Sequence, residues 1–588
     1  MSGSADVAPG SAPELSPVAP PAAATPAPRA WLARCIDPAI FLGLVAGYVA
    51  ALLSTVKDLG YSRDEGFYFH AARGYGKWFR MLFSDPEQAL GRSVLDSYWQ
   101  ENHEHPALMK SLFFASQHLF EKVLFEDRGT AYRFPTMLLS ALAVGMTFVW
   151  GRRVLGRAGG VVAALAFACM PRVFYHSHLS CFDLPIAALW LFVAYAYQRS
   201  FDTRSWSWAL GCAVLYGLAL DTKHNAWFLP ASLVAHLLLR HVLALRRPFR
   251  GWYRLRIPAA LVLMPLLGPL VFYAGWPWIW HDTWPRLQEY VRFHMSHVYY
   301  NIEFLGHTYF KPPFPRSYAW LMTAATVPAT TLLLAAVGGG AGVRRYWAAR
   351  HEQEPPHSDG GPLLWLMCIL VSYGPWVLTG TPIFGGTKHW LTAYPFLALF
   401  AGQGFAWLHG VLEQRGAALA GRYRTAFSAR GRALLGVALA ACLLIGPATM
   451  TWHSHPWGLS AYTPLVGGAP GAATLGLNRS FWGYTTGAIQ ETIDQHSGDG
   501  ARVFVHDTAM DSFKMLQRDG RLRSDLRPWW TVSGSDLAIY HHEQHMSRVE
   551  HMIWVDYGTT TPVHVGAFDG VPVIWLYQRP SYEPRREP

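Results

Sequence analysis

YSRDEGFYFHAARGYGKWF, residues 61–79, and ENHEHPALMK, residues 101–110, open and close a stretch that follows the first long apolar run of the chain and precedes the second. It is too polar to sit in lipid and too aromatic for an ordinary solvated loop. Phe67, Tyr68, Ala71, Ala72, Tyr75, Trp78, Phe79 and Leu82 recur at helical spacing, and His70, Arg73, Lys77 and Arg80 fall mostly on the other side. That pattern predicts an amphipathic helix lying in a membrane interface. Asp64 and Glu65 stand at its start, where carboxylates favour a helix N-terminus, and His103, Glu104, His105 and Lys110 close the same loop. Acids, imidazoles and a cation are therefore expected together at one membrane surface.

The rest of the chain supplies the membrane. Charged residues make up 15% and hydrophobic ones 51%, with 26 Trp, a balance that fits a multi-spanning protein with Trp at the interfaces. A formal charge of +11 would also suit a nucleic-acid partner. Position decides against one: most Arg falls between apolar runs at alternate ends, as cytoplasmic retention requires. Cys35, Cys169, Cys181, Cys212, Cys368 and Cys442 lie in or beside predicted spans without metal-like spacing, so neither a disulfide framework nor a cysteine metal site is expected.

Residues 1–30 are Ala/Pro-rich and are expected to form a disordered cytoplasmic tail, with no cleaved signal peptide. Apolar runs at 39–56, 134–151, 158–172, 183–198, 207–221, 226–243, 257–276, 318–338, 362–380, 390–411 and 433–452 predict a polytopic α-helical membrane domain. It would have about eleven transmembrane helices over 36–452, with a first outer loop at 57–133. With a cytoplasmic N-terminus, one set of loops carries Arg152, Arg153 and Arg157, then Arg199 and Arg204, then Arg240 to Arg256, Arg344 to Arg350, and Arg415 to Arg432. That is the positive-inside pattern. The other set, including YHSHLSCFDLP, DTKHN, WPWIWHDTWP and GTKHW, is short of Arg and rich in His, Asp, Lys and Trp. Functional groups concentrate on the outer face.

From 453 to 588 the chain reads as a linker and a small outer α/β domain: ARVFVHD and SDLAIYHHE as strands, DSFKMLQRDG as a helix, and VHVGAFDGVPVIWLYQR as a hairpin with an Asp-Gly turn. The Gly-rich segment TPLVGGAPGAATLG lacks the spacing of a phosphate-binding loop and reads as a linker or a loop on the membrane domain.

Neighbouring carboxylates on a helix cannot share a face, so of Asp64 and Glu65 one can point into a cavity while the other caps the helix or holds a cation. Asp64 is the candidate general base. Asp183 would enter its span at headgroup depth, where an unpaired carboxylate is costly and an ionisable group suggests function. His176 and His178 lie just before it; with His103, Glu104 or His105 they are candidates for holding substrate or a divalent metal. Lys110, Arg133, Lys223, His224, Lys388 and His389 all fall at outer span ends, where converging cations would hold a phosphate and stabilise it as it leaves.

Asp64-Glu65, EHPALMK (residues 104–110), Asp183 after a short third span, and KHWLTAYPFLALFAG (residues 388–402) together resemble the C-type membrane glycosyltransferases, in particular the protein O-mannosyltransferases and the bacterial aminoarabinose transferase of lipid A. The similarity covers about residues 36–410, and the linker and outer domain look like those of bacterial members. Where aminoarabinose transferases carry a Lys-Pro-Pro-type segment, this chain has His105-Pro106-Ala107. Its Lys110 matches instead the Lys of a mannosyltransferase-like His-Pro-x-Leu-x-Lys pattern.

The resemblance implies the C-type fold and inverting transfer of a sugar from a polyprenyl-phosphate-linked donor to a hydroxyl on a protein, lipid or glycan acceptor. The reaction would run at the outer face of a bacterial-type inner membrane, with the C-terminal domain periplasmic. It places Asp64, with Glu65, at the acceptor, and Lys110, Lys223, Lys388 and His389 at the donor phosphate. No Asp-x-Asp segment of the kind that holds a nucleotide-sugar metal occurs in the chain. The alternative from another class is a transporter or flippase of lipid-linked or anionic substrates, which would place its ionisable groups near mid-bilayer and repeat its halves. A non-catalytic assembly or sensor protein is a third reading.

Overall fold

The computed structural model describes residues 28–244, 257–299, 301–349, 361–383, 385–422, 428–506, 508 and 510–584. The expected tail, apart from Pro28 to Ala30, lies outside them, as do Arg246, Arg247, Arg250, Arg254, Arg256, Arg350 and Arg424 of the basic loops. The chain forms a short unit, residues 1–40, whose described part begins the helix Pro28–Thr55, and one large unit, residues 41–588.

All eleven apolar runs are helical. By length and composition four helices among the described residues can cross a membrane, or up to six if two bent pairs each count as a span, and three more apolar helices are shorter. The second and third runs share the helix Arg128–Ala168, which breaks at Gly156 with φ 82°. Its two arms fold back in contact: a Cβ on Gly151 would lie 2.9 Å from the Gly160 Cα, and one on Gly160 would lie 2.5 Å from the Arg152 nitrogen. Only glycine allows two backbones so close. Pro171–His178 and Asp183–Thr203 meet at 108°, and the bend delivers Asp183 to a helix start.

The loop between the first two apolar runs carries the expected helix at Arg63–Ser84. Its apolar face does not lie in lipid. Tyr75 stacks on Trp99 with ring centroids 3.9 Å apart, Trp78 donates to the Ala89 carbonyl at 2.9 Å, and a Cβ on Gly76 would meet the Phe114 ring at 2.2 Å. Protein, from Arg92–Trp99 and Leu108–Phe120, covers the stripe assigned to the interface, while Phe67 is exposed. Periodicity reports that a face is buried and is silent on what buries it.

A two-stranded hairpin, β1 (Ile302–Phe304) and β2 (His307–Tyr309), precedes Tyr318–Thr326. After the last apolar helix, Ala429–Ser454, come β3 (Arg502–Val505), β4 (Arg527–Trp529), β5 (Leu537–His541), β6 (His564–Phe568) and β7 (Val571–Gln578). They form one sheet in the order β4-β3-β5-β7-β6, parallel at β4-β3-β5 and antiparallel beyond. The β6–β7 turn has φ 49° at Asp569 and 75° at Gly570, the left-handed pair that a two-residue Asp-Gly hairpin requires. Residue 453 is not a packing boundary: one buried cluster runs from Leu59, Tyr68 and Phe113 in the first loop through Trp482 to Val503, Ile539 and Leu576 in the sheet. The helix Met510–Arg518 and the turn after it grip the start of Arg63–Ser84 and the approach to Arg128. Ser512 Oγ donates to the Ser62 carbonyl at 2.7 Å, Arg73 pairs with Asp511 at 2.7 Å, and Asp519 accepts from Tyr61 and, at 3.1 Å, from the Arg128 amide.

Candidate active site

The helix start at Ser62–Glu65 sorts the two carboxylates. Glu65 points inward, fully buried, and its two oxygens take the Ser62 amide at 2.9 Å, Arg133 Nε at 2.8 Å, Arg133 Nη2 at 2.9 Å and the Ser180 amide at 3.0 Å. Arg133, 1% exposed, also donates to the Gly60 carbonyl at 2.6 Å and the Val56 carbonyl at 3.2 Å. This pair is a clamp: it closes the chain between the first apolar helix and the loop and, through Ser180, ties in the segment that leads to Asp183. Glu65, expected in catalysis, and Arg133, expected at the donor phosphate, thus make their strong contacts inside the protein.

Asp64 points the other way. Its carboxylate keeps 20% exposure and stands 3.4 Å from Lys388 Nζ. Asp183 lies buried with Lys223 Nζ at 2.5 Å on one oxygen and His176 Nδ1 at 3.8 Å from the other. Four chain segments, far apart in sequence, thus meet as two carboxylate–lysine pairs. Cross-links hold them: Asn225 Nδ2 donates to the His389 carbonyl at 3.1 Å, joining the Lys223 turn to the Lys388 turn. The Ala107 amide donates to Asp221 Oδ1 at 3.1 Å, joining ENHEHPALMK to the Lys223 turn. Burial drives the Lys388 ammonium below its ordinary range, with the Asp64 and Asp183 carboxylates opposing the shift.

The other expected residues separate. Lys110, expected at the phosphate, is fully buried and donates to the Asn102 carbonyl at 2.6 Å and the His105 carbonyl at 2.8 Å, so it laces its own loop. Burial pushes its ammonium down to about 7. His103 bonds the Gln100 carbonyl at 2.7 Å and Glu289 at 3.1 Å, and Glu104 accepts from Asn102 at 2.7 Å. His178 bonds Thr55 Oγ1 at 2.9 Å and the Phe174 carbonyl at 2.8 Å. His224 stacks on His294 at 4.0 Å, with His105 5.7 Å from the same ring; His389 lies on Trp376 at 4.5 Å. Among the described residues no three His, Cys, Asp or Glu side chains are grouped so as to hold a metal ion. The five candidates for that role, His103, Glu104, His105, His176 and His178, therefore make no shared ligand set. Trp482 and His294 were not singled out from the sequence. Trp482 stands between Phe481 and Gly483 at the end of a Gly-rich stretch and His294 on the polar helix Thr283–Met295, and neither has a local signal tying it to Asp64 or Lys223.

Residues 111–273 match the family model described as dolichyl-phosphate-mannose-protein mannosyltransferase. The match takes in Arg133, His176, Asp183, Lys223 and His224, and over those residues bears out the resemblance to the protein O-mannosyltransferases. No curated protein matches the chain. Among solved structures, ArnT from Cupriavidus metallidurans bound to undecaprenyl phosphate is 13% identical, over 94% of this chain and 98% of that one, with a TM-score of 0.45. The archaeal oligosaccharyltransferase AglB from Archaeoglobus fulgidus, in complex with an inhibitory peptide and a dolichol-phosphate, is 10% identical, over 90% of this chain and 72% of that one, with a TM-score of 0.46. Likeness at that level assigns no residue of this site.

Proposed function

We propose that the protein is an integral membrane glycosyltransferase that moves a sugar from a polyprenyl-phosphate-linked donor to an acceptor hydroxyl, with inversion, at the outer face of a bacterial-type cytoplasmic membrane. The observation that carries this reading is the meeting of Asp64–Lys388 with Asp183–Lys223. The donor class is supported by the family whose model matches residues 111–273, named for dolichyl-phosphate-mannose. Eleven crossings, with a cytoplasmic N-terminus, fit the same observation: alternation puts residues 64, 183, 223 and 388 on one side, as their contact requires.

Charge bookkeeping shows what the array can do. At rest its two carboxylates and two ammoniums cancel, and Arg63, 3.8 Å from Asp64, adds a further positive charge beside them. As the acceptor oxygen forms its bond to the anomeric carbon, the bond from that carbon to the phosphate oxygen breaks. The phosphate keeps the electron pair and gains one negative charge. The acceptor proton passes to Asp64, so the array becomes net positive at the moment the leaving group becomes more negative. Lys388, with the longer contact of 3.4 Å, is the cation that exchanges its carboxylate for phosphate, and Lys223, at 2.5 Å from Asp183, stays fixed. The donor sugar, hexosyl or pentosyl, and the acceptor, protein, lipid or glycan, are set by contacts outside these four groups.

The test is consumption of lipid-linked sugars from a total polyprenyl-phosphate-sugar extract by the purified protein in liposomes, with an acceptor-containing membrane extract present. Depletion of one species by the wild type and not by Asp64→Asn supports the reading; no depletion by either sinks it.

A further inference from the structure

Trp482 holds a backbone conformation that bulky residues seldom adopt, φ 72°, followed by Gly483 at 63°. Such strain persists only where the surroundings over-determine it. Here two contacts do so. The Trp482 carbonyl accepts the Arg63 amide at 2.7 Å, one residue before Asp64. Its indole, 3% exposed, lies with its ring centroid 4.0 Å from Lys388 Nζ and 5.7 Å from the His176 ring. A glycine would take this φ without strain but would present no ring. A residue from beyond the last apolar helix therefore touches Lys388 and the residue that precedes Asp64.

We infer that Trp482 is a positioning residue of the site: the face of its indole fixes where the Lys388 ammonium stands, and its carbonyl fixes the start of the helix that carries Asp64. The region after Ser454 then completes the site and is not an appended module. This rests on the reading of Asp64 and Lys388 as the centre of sugar transfer. The physical reason is desolvation: over an ammonium held 6% exposed at its side chain, an aromatic face supplies attraction without adding a charge that would compete with the incoming phosphate.

The experiment uses the full-length protein in liposomes, comparing wild type with Trp482→Phe and Trp482→Leu. Phe keeps a π face and Leu keeps only apolar bulk. In Trp482→Leu the KM for the lipid-linked donor rises by roughly 30-fold, the factor a desolvated cation–π contact is worth. Trp482→Phe recovers most of it while both variants unfold at similar temperatures. In parallel, Lys388 is acylated with an activated acetate ester and followed by peptide mass spectrometry, which needs no turnover. Only the unprotonated amine reacts, so Lys388 labels faster in Trp482→Leu than in Trp482→Phe or wild type. If the wild type consumes no donor but the labelling still separates Leu from Phe, the functional reading fails and the positioning role stands. Equal KM values and equal labelling in the two variants overturn the inference.

Discussion

Asp64 and Glu65 are neighbours in sequence and opposites in environment, so removing one charge at a time separates them. Glu65→Gln keeps shape and volume but turns one acceptor oxygen into an NH2 group. Whichever way the amide faces, that group meets two N–H donors: Arg133 Nε and the Ser180 amide on one side, Arg133 Nη2 and the Ser62 amide on the other. The Arg133 guanidinium is left buried at 1% exposure without its countercharge. Breaking a buried pair from one side costs about 3–5 kcal/mol, a large share of the ~5–15 kcal/mol by which proteins are stable. Asp64→Asn, at a carboxylate with 20% exposure beside Lys388 at 3.4 Å and Arg63 at 3.8 Å, costs less, because it strands no buried guanidinium and the Lys388 ammonium, already driven down by burial, can shed its proton. Thermal unfolding in detergent, followed by tryptophan fluorescence with monodispersity checked alongside, should show Glu65→Gln unfolding well below wild type and Asp64→Asn close to it. Donor consumption should show the reverse ranking per folded molecule. An inactive Glu65→Gln with wild-type stability would refute the clamp and return Glu65 to the chemistry.

Further outcomes follow from the same contacts. Asp183→Asn and Lys223→Met should each destabilise by about 3–5 kcal/mol, and the double variant by less than their sum, because each single change strands the other buried charge. Lys110 titrates near 7 in the folded protein and near its ordinary 10.5 when unfolded. Between those values the unfolded chain binds the extra proton, so its contribution to stability rises with pH. Relative to Lys110→Met, the wild type should gain at most about 1.4 kcal/mol per pH unit from pH 7 upward, and a flat difference across pH 7–9 would contradict the assignment. Gly160→Ala should lower the yield of folded protein, its Cβ landing 2.5 Å from the Arg152 nitrogen, whereas Gly43→Ala, with nothing within 4 Å, should not. Truncation after Ser454 should abolish monodisperse protein, because it removes more than half of the cluster that covers Leu59, Phe69 and Phe113.

Apolar runs and arginine placement made the helices legible, because the hydrophobic signal of a long buried segment is local and repeated. The same holds for β3, β5 and the Asp569–Gly570 hairpin, where alternation and one turn signal suffice. Asp64, Asp183, Lys223 and Lys388 could be named from chemistry and sidedness alone. Their pairing could not, since it depends on how four loops interlock through Ser180, Asn225 and Asp221. Arg133 and Lys110 show the limit of reading cations by position: at a span end a basic side chain can face phosphate or can turn inward onto carbonyls, and only the packing shows which. Trp482 was invisible for a further reason, because its significance lies in a backbone angle and a ring placed under a lysine from another part of the chain.

The most direct test of the account is the release of polyprenyl phosphate from the donor that the wild type depletes, measured in the same liposomes for wild type, Asp64→Asn, Lys388→Met and the stability-matched Phe67→Ser, whose side chain faces outward. The account predicts polyprenyl phosphate released one for one with sugar transferred by wild type and Phe67→Ser, and loss of release on neutralising either member of the Asp64–Lys388 pair in protein that remains folded. Undiminished release by folded Asp64→Asn would contradict it and take the base away from the centre of the site.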